Sequence, residues 1–357
     1  MIKTCIEVSR SAFLNNVNEV QKIIGNALVM PVVKANAYGT YLNRDIDLMN
    51  RFDIVAVAMV EEAVYMRKLG YKNDILVLNQ PYIEELDDIV QFNIIVGVSS
   101  CYFLEQIKES SKQVRVHIEI ETGMGRTGVL KEQLDEIINI IKESNVVVEG
   151  VYTHLSSADS DYEFTNKQMS LFEESVHKIK ENFNEIKYIH CAASSGILNF
   201  KLGICNMVRP GIILYGYLSS LNVKDKITLK PTLKFRSRIS FIKDVEPNDS
   251  IGYNRSFIAS SKMKVATVSF GYADGVMRKL SNKGFVSVNG KRCKILGNIC
   301  MDSFMIDVTD CNVQVGDIVY LFDNQVVTLD EISNLCDTIN YEVISTIGER
   351  VKRVFVD

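Results

Sequence analysis

The stretch LVMPVVKANAYG, Leu28–Gly39, decides how the chain is read. Leu28–Val33 is apolar without a break, and the run then stops on a lysine, Lys34. A short continuous apolar run marks a strand buried on both faces, the kind found in parallel sheets covered by helices. Similar runs follow at Ile54–Met59, Ile75–Leu78, Ile94–Val98, Val114–Ile120, Val146–Thr153, Tyr188–Cys191 and Met207–Ile213. Amphipathic stretches such as Glu61–Leu69, Gln133–Ile141 and Glu163–Phe183 lie between them. Eight strand–helix alternations over about 220 residues fit a (β/α)8 barrel of the TIM type. A doubly wound open sheet is the alternative, but no glycine fingerprint opens its first turn.

The texture changes near Lys226, where strand follows strand: Thr232–Ile242, Lys264–Phe270, Phe285–Val288, Arg292–Leu296, Phe304–Val308 and Ile318–Leu321. Asn289-Gly290 between two of these runs predicts a type I′ hairpin. Helical patterning returns only at Leu329–Leu335 and Asn340–Ile347. The expected organisation is therefore α/β in the first part and mostly β in the second. An N-terminal barrel spans 1–225 and a C-terminal β domain 226–357, with the first few residues candidates to pair with the second domain. The length of 357 residues, with 47% hydrophobic and 24% charged, suits such a two-domain globular chain.

A net charge of −4 argues against a nucleic-acid or anionic-membrane surface. No run of about 18 apolar residues is present to span a bilayer, and the N-terminus lacks the build of a signal peptide. The eight cysteines form no C-x-x-C pair and read as reduced thiols of a cytoplasmic protein. Four histidines without ligand spacing make a metal site an unfavoured reading.

Lys34 ends its strand where barrel active sites are built. Partial burial there would lower its pKa, as Schiff-base chemistry requires, although a strand end also lets an ordinary lysine reach water. Other strand ends supply polar groups on the same side: Glu121 to Arg126 after the fifth, His154 after the sixth, Ser194-Ser195-Gly196 after the seventh, and Arg209 to Gly211 along the eighth. Each is bland alone; their convergence is not. Ser195, Gly196, Gly211 and Ile212 follow strands seven and eight, the usual place for a barrel's phosphate site.

These segments carry a resemblance. VVKANAYG (Val32–Gly39) resembles the cofactor-lysine signature of the alanine racemase family. ETGMGRTG (Glu121–Gly128), NMVRPGIILYG (Asn206–Gly216), GYADG (Gly271–Gly275) and CMD (Cys300–Asp302) follow in the family's order, and IGYNRSF (Ile251–Phe257) is similar to the segment bearing its catalytic tyrosine. The resemblance implies pyridoxal 5'-phosphate (PLP) bound through Lys34, the base on one face of the substrate Cα. It implies Tyr253 of a second subunit as the base on the other face, and hence a homodimer. Tyr38, Ser194, Ser195, Gly211 and Ile212 would surround the phosphate, His154 would lie beside the cofactor, and Arg209 would face the pyridine nitrogen. Arg126 and the backbone of Met301 would hold the substrate carboxylate, and Tyr272 would line the entrance. Racemisation suits two bases on opposite faces. An arginine, which keeps its proton, would leave the ring nitrogen unprotonated and limit side reactions.

Two departures stand out. Many members carry a lysine, used as its carbamate, where this chain has Glu119; a glutamate there can pair bidentately with Arg126, unless it is simply an exposed strand residue. Near the C-terminus, TIGERVKR (Thr346–Arg353) places Glu349 where the family has a pocket tyrosine. Glu349 would turn away, pair with Arg350 or Arg353, or contact a polar substrate side chain. Alanine is the expected substrate, with D-alanine for cell-wall synthesis as the implied product. Serine or a larger or basic amino acid is the alternative. A PLP decarboxylase or a non-catalytic PLP carrier would not need Tyr253.

Overall fold

The computed structural model describes residues 4–218 and 226–357. After β1 (Cys5–Val8) and α1 (Arg10–Ile24), strands and helices alternate. In order they are β2 (Leu28–Val29), α2 (Lys34–Tyr38), α3 (Ile46–Met49), β3 (Ile54–Val57), α4 (Val60–Lys68), β4 (Asp74–Val77), α5 (Leu86–Gln91), β5 (Ile95–Val98) and α6 (Cys101–Ser110). The series ends with β6 (Val114–Glu119), α7 (Leu134–Lys142), β7 (Val146–Tyr152), α8 (Tyr162–Lys180), β8 (Tyr188–His190), α9 (Ser194–Asn199) and β9 (Met207–Val208). The chain divides into two compact units, one of residues 14–37 and 41–230, the other of 1–13, 38–40 and 231–357.

In the first unit β3 to β8 form a parallel sheet in sequence order, and β2 pairs in parallel with β9. The ring closes at both joints. Val32 bridges Ala56 on one side, with Val33 N–H donating to Ala56 O at 2.8 Å. On the other, Asn206 and Arg209 N–H donate to Ile189 and Ala192 carbonyls at 3.0 and 2.9 Å. The result is the expected eight-stranded barrel. The strands are apolar because their outer faces lie under helices. On α7, for instance, Leu134, Ile137, Ile138 and Ile141 are buried at helical spacing, each contributing about 1.5–3 kcal/mol.

Two expected strands are shorter than read. Pro31 interrupts the Leu28–Val33 run, and Pro210 ends the Met207–Ile213 run, because neither has an N–H to donate to a ladder. Ile212–Tyr215 instead forms a 3₁₀ turn.

The second unit is built on β10 (Leu233–Val245), β11 (Ser250–Ile251), β12 (Phe257–Ile258), β13 (Met263–Val268), β14 (Phe285–Val288), β15 (Lys291–Leu296), β16 (Phe304–Asp307), β17 (Ile318–Phe322) and β18 (Lys352–Phe355), with α10 (Leu329–Cys336) and α11 (Asn340–Ser345). The thirteen-residue β10 pairs with β17 through its first half and β13 through its second, with a bulge between Ile239 and Phe241. The sheet therefore closes through β17, β14, β15, β16 and β13 back to β10. β1 adds antiparallel to β10 and parallel to β18. Phe235, Phe270, Phe304 and Phe322 fill the interior, with Phe235 edge-on to Phe270 at 5.2 Å. Asn289 and Gly290 both have positive φ, as a type I′ turn requires.

Candidate active site

Lys34 leaves its strand into a turn of unusual hand. Ala35, Asn36, Ala37 and Tyr38 all have φ of 53 to 55°, four consecutive residues in the left-handed region and none of them glycine. Each residue held there costs about 1–2 kcal/mol, so tertiary contacts must impose the turn. Glu62, in the first turn of α4, supplies them: its carboxylate accepts from the N–H of Ala35 at 2.6 Å and of Ala58 at 2.8 Å. Ala37 N–H also donates to Val33 O at 2.8 Å. Neither the hand of this turn nor the part played by Glu62 is legible in the sequence, where the only signal of Glu62 is its position as a first-turn helix carboxylate.

The Lys34 amine has no hydrogen-bond or ion-pair partner among the described residues. Burial, and next the positive charge of Arg126, hold it below the usual lysine range, with Glu62 opposing and Arg209 adding to the fall. His154 is pushed down to about 3 by burial, then by Arg209, Arg126 and Lys34. The barrel thus brings Lys34, Arg126, His154 and Arg209 within electrostatic reach of one another, and His154 is neutral at physiological pH.

Arg209 is 3% exposed and anchored through both terminal nitrogens. Nη1 donates to His190 O at 2.9 Å and faces His190 Nδ1 at 2.7 Å. Nη2 donates to Thr153 O at 2.8 Å and faces His154 Nδ1 at 3.3 Å. Those contacts occupy the four Nη protons and leave Nε–H as the donor for a ligand. His190, also missed from sequence, is an inward-facing barrel residue at strand spacing from Tyr188.

Glu119 is 3% exposed, which removes the exposed-strand reading. The expected pair with Arg126 is not formed either. Glu119 instead accepts from Ser99 Oγ at 2.7 Å and Thr127 Oγ1 at 2.9 Å, and the Arg126 side chain is exposed. A glutamate is shorter than a carbamylated lysine, so from the same strand position it reaches the loop at Thr127. Glu121 closes that loop, its carboxylate accepting from Gly123 N–H and, at 2.9 Å, from Gly125 N–H.

Ser194 and Ser195 open α9, and Ser194 Oγ accepts from Gly211 N–H at 3.2 Å. The residues after strands seven and eight therefore do meet, with Ile212 next in chain.

The remaining expected residues lie in the β unit. Tyr38 is buried with its ring 6.0 Å from that of Tyr341. Tyr253 and Met301 are 69% and 53% exposed and share an open pocket of about 520 Å³ with Gly252, Cys300, Asp302 and Ser303. Tyr272, also exposed, donates its N–H to Cys300 O at 3.1 Å. Gly271 permits that approach, since a Cβ there would lie 2.3 Å from Cys300 O. Glu349 is exposed and makes no ion pair among the described residues. Of the alternatives offered for it, pairing with Arg350 or Arg353 is not formed, since both are engaged: Arg350 holds Asp274 at 2.8 Å and Asp302 at 2.6 Å, and Arg353 donates to backbone carbonyls including Gly348 O. No cluster of three or more metal-ligating side chains occurs among the described residues.

Comparison with known proteins is consistent across the chain. Residues 8–219 match the family described as alanine racemase, N-terminal domain, and 232–355 match alanine racemase, C-terminal domain. An alanine racemase of Methanococcus maripaludis is 38% identical over 98% of both chains. Alanine racemase 1 of Clostridium acetobutylicum is 35% identical over 98% of this chain and 94% of the relative. Among solved structures, alanine racemase of Bacillus anthracis with bound L-Ala-P superposes with a TM-score of 0.93 at 31% identity, covering 100% of this chain and 96% of the other.

Proposed function

This chain belongs to the alanine racemase family, and we propose that it interconverts L- and D-alanine with pyridoxal phosphate held in its barrel. The carrying observation is Lys34: a partly buried amine without an ion-pair partner, on a turn held against its conformational preference, beside Arg126, His154 and Arg209. The residues present fit the cofactor. Lys34 would hold it covalently, the free Nε–H of Arg209 would meet the ring nitrogen, and Tyr38, Ser194, Ser195, Gly211 and Ile212 would surround the phosphate. Bound there, the cofactor supplies the electron sink that makes the substrate's Cα proton removable.

The chain's own residues do the rest. Lys34 Nζ takes or returns a proton on one face of Cα, and its lowered pKa lets the neutral amine serve as base. Tyr253 of the partner subunit serves the other face. Arg126 and the Met301 backbone orient the substrate carboxylate, Tyr272 lines the approach, and neutral His154 holds Arg209 in place.

A homodimer is part of this reading. Tyr253 and Met301 are strongly exposed in the single chain, as are Met59, Tyr82, Tyr102 and Tyr162, which follow barrel strands β3, β4, β5 and β7. In this reading a second subunit would cover them. The barrel would then carry the cofactor and the β unit the second base. Eight free thiols support a cytoplasmic setting, and no helix among the described residues is long and apolar enough to cross a membrane.

The exposed, unpaired Glu349 favours a second reading in which serine or a basic amino acid is preferred. Chiral chromatography after incubating the PLP-loaded protein with L-alanine, L-serine, L-lysine and L-ornithine separately decides between them. D-alanine forming fastest supports the first reading and a different winner the second; no D-isomer from any substrate refutes both.

A further inference from the structure

Behind Arg209 the barrel interior holds a second buried histidine. His117, on β6, is fully buried, and its Nδ1 lies 2.9 Å from His190 Nε2. The proton positions along this row follow from one end. A guanidinium only donates, so His190 Nδ1, 2.7 Å from Arg209 Nη1, must be the acceptor. The His190 proton therefore sits on Nε2 and is donated to His117 Nδ1. The His117 proton is then on Nε2, and that atom is buried with no partner. Double protonation offers no escape: burial and Arg209 hold His190 well below the usual histidine range, and burial followed by Arg115 and Arg209 pushes His117 down to about 3.

The fold accommodates His117 with visible adjustments. The β6–β7 register slips between Val116 and His117, skipping Glu149 and setting Gly150 opposite the ring. A Cβ on Gly150 would lie 2.7 Å from His117 Nδ1. An aliphatic side chain at 117 would carry no unpaired N–H. On the other side of the row, Tyr152 stacks on His190 with rings 5.1 Å apart and nearly parallel, so ring planes as well as protons are set.

We infer that His117 is a positioning residue for the reaction: by accepting from His190 it fixes that ring as its Nε2–H tautomer, keeping the Nδ1 lone pair on Arg209 and the Arg209 Nε–H aimed at the cofactor. The inference rests on the proposed placement of Arg209 against the ring nitrogen. Without an acceptor at 117, His190 is free to flip or change tautomer, and either change turns a C–H or N–H toward Arg209.

The test uses the PLP-loaded enzyme labelled with ¹⁵N-histidine, in wild-type, His117→Leu, His117→Gln and Arg209→Gln forms. Long-range ¹H–¹⁵N correlation reports each tautomer, alongside the cofactor absorption spectrum, kcat and KM. The wild type is expected to show His117 and His190 both protonated on Nε2. In His117→Leu, His190 becomes a mixture of tautomers, the cofactor band shifts, and kcat falls about tenfold with KM within about twofold, an effect of weakened orientation rather than lost binding. His117→Gln, whose side-chain oxygen can accept from His190, recovers most of kcat. A wild-type His190 protonated on Nδ1 overturns the inference even if His117→Leu does not fold. So does a His117→Leu enzyme with one His190 tautomer and unchanged kcat, or a His117→Gln enzyme as impaired as the leucine variant. If Arg209→Gln also leaves the cofactor spectrum unchanged, the placement of Arg209 has failed; if Arg209→Gln alters it and His117→Leu does not, only the role of His117 has failed.

Discussion

At the scale of single residues, the site depends on polar side chains held by neighbours that never meet the substrate. Glu119 accepts from the Thr127 side chain rather than pairing with the adjacent Arg126, so in the proposed reading it would steady the loop that binds the substrate carboxylate. Replacing Glu119 with alanine removes the acceptor of the half-buried Ser99 and the exposed Thr127 hydroxyls, and with it the tie between the end of β6 and the loop that carries Arg126. The expected outcome is a rise in KM for alanine of about tenfold with cofactor affinity unchanged, and a smaller rise for Glu119→Gln. Steady-state kinetics with a parallel PLP titration checks this; an unchanged KM in the alanine variant would remove Glu119 from the account. Residue types at strand ends were legible in the sequence because polar groups are rare in such apolar surroundings. Partners were not: the Glu119–Arg126 pair suggested by the family resemblance is replaced by one with Thr127, and the three alternatives left open for Glu349 were separated only by the structure, where it is exposed and unpaired among the described residues.

At the scale of elements, the left-handed turn that follows Lys34 is strained, and Glu62 is its clamp. Glu62→Ala removes the acceptor for Ala35, Ala58 and Met59 N–H groups together. Relaxation toward ordinary backbone conformations should then displace Lys34. We expect weaker cofactor retention on dialysis, by about tenfold, with little change in the circular dichroism of the barrel; retention equal to wild type would show that the turn holds without its clamp. The strands were readable because parallel, doubly covered strands leave long apolar runs. Their ends were less so, since Pro31 and Pro210 cut ladders inside runs that look continuous. The turn itself was unreadable, as only Asn36 of the four tolerates positive φ well and the enforcing carboxylate lies 27 residues from Ala35.

At the scale of the whole molecule, the buried neutral histidines tie stability to pH. His117 and His154 are both pushed from 6.5 to about 3. Between those values the unfolded chain binds more protons than the folded one, so stability rises with pH and is lost as pH falls from about 6.5 toward 3, by up to about 5 kcal/mol for each of the two histidines. Urea unfolding should therefore show a lower midpoint at pH 5 than at pH 7.5, with His117→Leu reducing the difference; equal midpoints would contradict the neutral assignment. The division of the chain into an α/β part and a mostly β part was visible from the change in strand spacing near Lys226. The first residues were expected as candidates to pair with the second part, and β1 joins both β10 and β18; which strands it would join was not legible, because a four-residue strand carries too little pattern to name its partners. The central claim is that Lys34 of one chain and the partner subunit's Tyr253 act on opposite faces of one alanine. The direct measurement is racemase activity in an equal mixture of co-folded Lys34→Ala and Tyr253→Phe chains, each inactive alone. Random pairing leaves one intact shared site in each hybrid dimer, so activity should return to about a quarter of the wild-type rate per chain. A mixture as inactive as its components would mean that each site draws both residues from one chain, and the shared-site account would be wrong.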